Sequence, residues 1–308
     1  RRRHRQALLL ACGLAVACAS PGGPQDVSWE ARTADAELER ARAAEVQGDR
    51  AHALELGRRS LQHAREAAAR GSIGRALLFL GRTEADLAPC LEAIDVFEAI
   101  DDRAGLAEAQ TVAAELLLEL DRPEAALDHL ALAEAALEQA ELDRPRWARL
   151  AARLHHTSAG AQGRLGRADA AESSERQAEL ALSLLDDGDE VALRIAVQLG
   201  LGAGEARRGW PARAMEHYGQ ALGLARKAGH RVAQVEAYTG IVAALTELRR
   251  YADALSHCER ALAVAQELDD PQRTRDLGWL GLQLLDQLGD GADPARRRAF
   301  EEALLAGD

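Results

Sequence analysis

Lysine is almost missing: Lys227 is the only one among 38 basic residues, so arginine abundance reflects coding bias more than chemistry. Aromatic residues make up 3% of the chain, and no segment sustains the period-two alternation of a half-buried strand, which argues against a β-rich core. The sequence has no His-Glu-x-x-His, no paired Cys-x-x-Cys, no glycine-rich phosphate loop after a strand and no Gly-x-Ser-x-Gly elbow. Their absence removes the common metal, nucleotide and serine-nucleophile chemistries. Positive charge is also in deficit. The formal net charge is −12 at pH 7, and setting aside the leading Arg1, Arg2, Arg3 and Arg5 leaves 34 basic against 50 acidic residues. That net of −16 disfavours nonspecific binding to nucleic acid or anionic lipid.

Long apolar runs are lacking too, with one exception. Ala7 to Ala17 is an unbroken small-and-apolar stretch of eleven residues behind Arg1-Arg2-Arg3-His4-Arg5. A bilayer-spanning helix needs about 20 such residues, so this stretch suits a secretory signal instead. The next residues, Leu14-Ala15-Val16-Ala17-Cys18, resemble a bacterial lipobox, departing from it at Ala15, where leucine is commoner. The resemblance implies cleavage after Ala17 and lipidation of Cys18. Cys12 follows a better leucine pair but leaves an apolar region of only five residues, so Cys18 is preferred. The other readings are an ordinary signal with Cys18 unmodified, or a leader retained in the membrane. Ala19-Ser20-Pro21-Gly22-Gly23-Pro24 lacks helix formers and reads as part of a tether over 18–30. By resemblance to lipoproteins, Ala19 after the cysteine points to the outer membrane, facing the periplasm. The expected organisation is a signal peptide over 1–17, the tether over 18–30 and one folded unit over 31–308.

What the chain does have is alanine, leucine, arginine and glutamate at the three-to-four-residue spacing of amphipathic helices. Pro89, Pro123, Pro145, Pro211, Pro271 and Pro294 all fall where that pattern restarts, as proline belongs in a first helical turn. Asp121, Asp143, Asp270 and Asp293 stand just ahead of four of them as expected caps. Gly48, Gly71, Gly166, Gly209, Gly229 and Gly289 mark the other breaks. The pattern predicts about fourteen helices in seven hairpins.

Tyr238-Thr-Gly-Ile241-Val242-Ala-Ala-Leu245 followed by Tyr251-Ala-Asp-Ala254 and Cys258-Glu-Arg-Ala261 resembles the tetratricopeptide repeat. Copies recur around Gly209, Ala214, Tyr218 and Ala221; Gly166, Ala171 and Ala178; Ala126, Leu130 and Ala133; and Gly81, Ala93 and Phe97, with a weaker first unit at Ala53. Taken as equivalent, Ala53, Ala93, Ala126, Ala171, Ala214 and Ala254 are 40, 33, 45, 43 and 40 residues apart, against about 34 in the standard unit. Small residues recur because closely crossing helices admit only alanine or glycine, while an aromatic fills the adjoining hole. The resemblance implies an all-α, right-handed superhelical solenoid of about six to seven hairpins, with a degenerate last unit around Phe300 serving as a cap.

No catalytic residue, metal ligand or cofactor site emerges. His155 and His156 point to different helix faces, and His129, His217 and His257 are placed on the solvent side of their second helices. Cys90 and Cys258, four hairpins apart, read as packing residues that cannot bridge. In such arrays the first helix of each hairpin lines the concave face. The alignment places Arg153, His156, Arg164 and Arg207 there, over Gly160, Gly163, Ala203 and Ala206, with Glu115, Glu119, Glu236 and Glu247 on flanking hairpins. Arg176 and Arg260 fall on the outer face. The expected function is a non-catalytic protein-binding scaffold of the cell envelope that holds a protein or peptide, acidic or C-terminal, in this groove. The alternative is a cytoplasmic regulatory or adaptor module.

Overall fold

The computed structural model describes residues 28–46, 49–186, 190–268, 270–289 and 294–305. The signal region, Cys18, the tether up to residue 27, Gly48 and Asp293 lie outside the described residues. Seven hairpins follow one another. They are α1 (Trp29–Val46) with α2 (Arg50–Glu66), α3 (Arg70–Glu84) with α4 (Leu87–Ala99), and α5 (Arg103–Glu119) with α6 (Pro123–Gln139). Next come α7 (Arg144–Arg164) with α8 (Ala168–Leu182), and α9 (Val191–Arg207) with α10 (Pro211–Lys227). The last two are α11 (Arg231–Glu247) with α12 (Tyr251–Glu267), and α13 (Pro271–Leu288) with α14 (Pro294–Leu304). Among the described residues there is no strand. Helix begins at Trp29, so the expected tether to residue 30 is too long by two residues.

Local signals explain most boundaries. The backbone N–H groups of Arg146 and Arg273 donate to Asp143 and Asp270 as expected, and those of His52, Ala88 and Gly105 donate to Asp49, Asp86 and Asp102. Gly166, Gly209, Gly229 and Gly289 have φ of 71, 74, 71 and 77°, the left-handed stop that glycine adopts freely. Two assignments are corrected. Asp121 is not a cap: it ends α5 with φ 54°, and Arg122 precedes α6 without a side-chain bond. Gly71 lies in the first turn of α3, and the left-handed residue at that break is Ala68, φ 51°.

Every substantial helix packing is with the next helix in the chain, or between first helices of successive hairpins from α1·α3 to α9·α11. That ladder is a solenoid, and among the described residues no substantial pairing closes it into a bundle. Its core is a string of apolar clusters bridging neighbouring hairpins. In the first six hairpins the fourth residue of the second helix is buried at the crossing: Ala53, Cys90, Ala126, Ala171, Ala214 and Ala254. Cys90 therefore takes the place assigned to Ala93, and its sulfur lies against Gly81 of α3. The two spacings either side of it become 37 and 36 residues in place of 40 and 33.

Cys90 and Cys258 are buried free thiols, and burial pushes each pKa up to about 12. Thiolate is the reactive form. Neither should react with a disulfide exchange reagent at pH 8 in the folded protein, and both should react in denaturant. Rapid native labelling of either would contradict the packing.

Candidate functional site

The groove is framed by α7, α9 and α11, whose first-helix positions leave one face of each helix off the hairpin core. Between them lies a cavity of about 540 Å³. Its floor is unusually bare: Gly160 and Gly163 on α7 face Ala196, Gly200 and Gly204 on α9. A Cβ at Gly204 would meet no atom of another element within 4 Å, so the space directly above it is open. His156, Arg164, Arg207 and Glu236 border the opening.

The four basic residues expected in the groove differ in their engagements. Arg153 forms a bidentate pair with Glu115 of α5, its Nε and Nη2 donating to the two carboxylate oxygens at 2.7 and 2.5 Å. Arg164 donates to the Leu118 carbonyl and stands 3.6 Å from Asp121. Both tie α7 to the preceding hairpin. His156 Nδ1 is 3.0 and 3.1 Å from the two oxygens of Glu175 on α8. Only Arg207 is left: its guanidinium makes no ion pair or hydrogen bond among the described residues and lies across Gly163, where a Cβ would meet it at 3.6 Å.

Glu175 was missed in the sequence. It is the eighth residue of α8, the place held by Ile94, Leu130, Tyr218 and Cys258 in α4, α6, α10 and α12, yet it is 6% exposed. Gly200 stands over its carboxylate so closely that any Cβ there would collide. Burial raises the Glu175 pKa, with His156 and Arg207 offsetting only part of the shift. Burial alone would lower His156, but the hydrogen bond and charge of Glu175, with Glu115 adding to them, outweigh it and hold its pKa above the usual histidine value. A register count would have exposed the anomaly, since a carboxylate at a core position needs a partner.

Three other histidines are also corrected. His129 and His217 are not simply solvated: their Nδ1 atoms lie 2.5 and 2.8 Å from Gln110 and Gln198, each on the first helix of its own hairpin. His257 tilts against the Tyr238 ring, centroids 5.8 Å apart. Arg176, placed on the outer face, pairs with the buried Glu172 and lies 3.7 Å from the buried Glu205, linking α8 to α9. Among the described residues no group of three or more His, Cys, Asp or Glu side chains could hold a metal ion, and no helix is long and apolar enough to cross a membrane.

Bare first helices, buried small residues at every crossing and neighbour-only packing define a tetratricopeptide-like solenoid. Solved structures share that fold. A Rap protein complexed with competence and sporulation factor is similar over 82% of this chain and 75% of its own, at 13% identity and a TM-score of 0.57. The apo form of RapI matches over 89% and 76%, at 10% identity and a TM-score of 0.65. A STAND protein with a tetratricopeptide repeat sensor from Pyrococcus horikoshii reaches a TM-score of 0.68 at 13% identity, this chain spanning 41% of its length. No family model matches the chain, and no curated protein matches it.

Proposed function

We propose that this protein is a non-catalytic scaffold of the bacterial cell envelope that holds a segment of a partner protein in its concave groove. The observation that carries the reading is the open cavity between α7 and α9, with a glycine floor that admits an incoming backbone and one cation at its edge, Arg207, that has no direct ion pair or hydrogen bond among the described residues. A lone guanidinium beside open space suits a carboxylate, which it can bind through two parallel hydrogen bonds. A Rap protein of the same fold was solved with competence and sporulation factor bound, which supports ligand binding by this architecture. The test is to isolate partners by cross-linking from the envelope fraction and then compare two variants. Gly204→Phe puts a ring into the groove from a position where a Cβ meets no neighbouring element; Gly219→Phe, equally free at its Cβ on α10, is the control. Capture lost only in Gly204→Phe supports the groove, and equal capture by both removes it.

The envelope address rests on Cys18 and its apolar leader. Two or more acyl chains give stable anchoring where one does not. Metabolic labelling with a fatty-acid analogue should tag the protein, and Cys18→Ser should abolish the tag. Labelling that survives the substitution sinks the assignment.

A further inference from the structure

The groove continues past the first cavity. Glu236 of α11 borders it and also a second cavity of about 560 Å³, walled by Val235, Thr239, Leu277, Leu280 and Trp279. Trp279 is the ninth residue of α13, the place Leu199 and Thr239 hold in α9 and α11, so it presents its ring to the same face. Trp279 is 58% exposed. Two other tryptophans have partners: Trp29 lies 6.5 Å from the His63 ring, and Trp210 carries Arg208 and Arg213 over its face at 5.4 and 4.6 Å. Trp147 and Trp279 have no ring or cation partner of this kind among the described residues, and Trp279 is the more exposed of the two. A large exposed aromatic on a cavity wall is the feature that anchors binding partners.

Charge fixes what each end can take. In the first cavity His156 bonds Glu175, Arg164 is engaged by Leu118 and Asp121, Glu172 is met by Arg176 and Arg208, and Glu236 stands 3.7 Å from Arg273. Arg207, whose charge acts on Glu175 without contact, is the cation there with no direct ion pair or hydrogen bond among the described residues. In the second, Arg273 lies between Asp270 and Glu236, while Asp276 has only Gln272. That end repels an acid. We infer that the groove reads a two-point segment of the partner: one carboxylate on Arg207 and one bulky apolar side chain against Trp279. This rests on the groove being the partner site. Two helix-to-helix steps of at least about 8–10 Å separate α9 from α13, and the last residue of α9 lies about 12 Å along the helix axis from the ninth residue of α13. At about 3.3 Å per extended residue, the two anchors stand roughly six or seven residues apart or more.

The probe is a pool of synthetic random dodecapeptides, with free or amidated C-termini, selected on the immobilised protein and read by mass spectrometry. Enriched peptides are expected to carry an acid and a Trp, Phe or Leu at that spacing. Arg207→Ala should erase the preference for the acid and Trp279→Ala the preference for the apolar residue, each with about tenfold weaker binding, equivalent to about 1.4 kcal/mol. Both side chains are exposed, so thermal unfolding should be unchanged. An acid preference that persists among amidated peptides assigns it to a side chain; one confined to free peptides assigns it to the terminus. Enrichment blocked by Gly204→Phe but indifferent to Arg207 and Trp279 overturns the two-point reading and leaves the groove standing. No enrichment, or a dimer in sedimentation that Trp279→Ala dissolves, overturns it as well.

Discussion

Phe97→Ala is expected to lower the unfolding free energy by about 3–5 kcal/mol, the cost of emptying a large aromatic site in a core that cannot collapse. Phe97 is the eleventh residue of α4, where α6, α8, α10 and α12 have Ala133, Ala178, Ala221 and Ala261. The ring fits because the first helices on both sides are bare: a Cβ on Gly74 would stand 2.7 Å from it, and one on Gly105 only 2.5 Å. Gly105→Ala alone should therefore destabilise by overpacking, about 1–3 kcal/mol. In the double variant the added methyl occupies part of the vacated space. Its loss should be smaller than the sum of the single losses, since residues in contact couple. Urea unfolding followed by circular dichroism measures all four proteins. Additive losses would show that ring and glycines do not share one hole.

His156→Leu is the second large effect. It leaves Glu175, whose side chain is 8% exposed, without its hydrogen-bonding partner. Breaking such a pair from one side typically costs about 3–5 kcal/mol; because the His156 side chain keeps 31% of its surface, the low end, about 3 kcal/mol, is expected. Adding Glu175→Leu should recover most of the loss, because Leu130 holds the equivalent place in α6. The pH dependence has a definite sign. The folded pKa of His156 lies above its ordinary 6.5, so the native state binds the extra proton. Its contribution is fully present below pH 6.5 and is lost as pH rises through the folded value. His129, His155 and His257 are lowered chiefly by burial and act in the opposite sense. Glu175, whose own folded pKa is raised by burial and held down in part by His156, titrates differently once His156 is gone. The diagnostic quantity is therefore the His156 imidazole resonance in the folded parent: its midpoint should lie above 6.5, and one at or below 6.5 would reverse the assignment.

The architecture was legible in the sequence because its signals are local and repeated. Prolines, aspartate caps and left-handed glycines set helix ends, and the 3.6-residue pattern set buried faces. Single-residue register was less legible: Ala93 looked like the repeat alanine because Cys90, three residues earlier, was not read as its substitute. Pairing between helices was the part hidden from one-dimensional reading. Arg153 and Arg164 share the groove side of α7 with His156, but only distances to Glu115, Leu118 and Glu175 show which charges are already met. Trp279 went unnoticed because its neighbours in the cavity lie up to 44 residues away in the chain, at Val235.

Neighbour-only packing gives the molecule the mechanics of a coil spring. No substantial packing joins the first hairpin to the last among the described residues, so a small rotation at each junction adds to the next, and the ends can move far while each interface barely changes. A segment pinned at Arg207 and Trp279 spans the junctions from hairpin five to hairpin seven, so its spacing would set the local pitch. Binding would then be felt as a change in end-to-end length, with the partner acting as a strut along the inside of the coil.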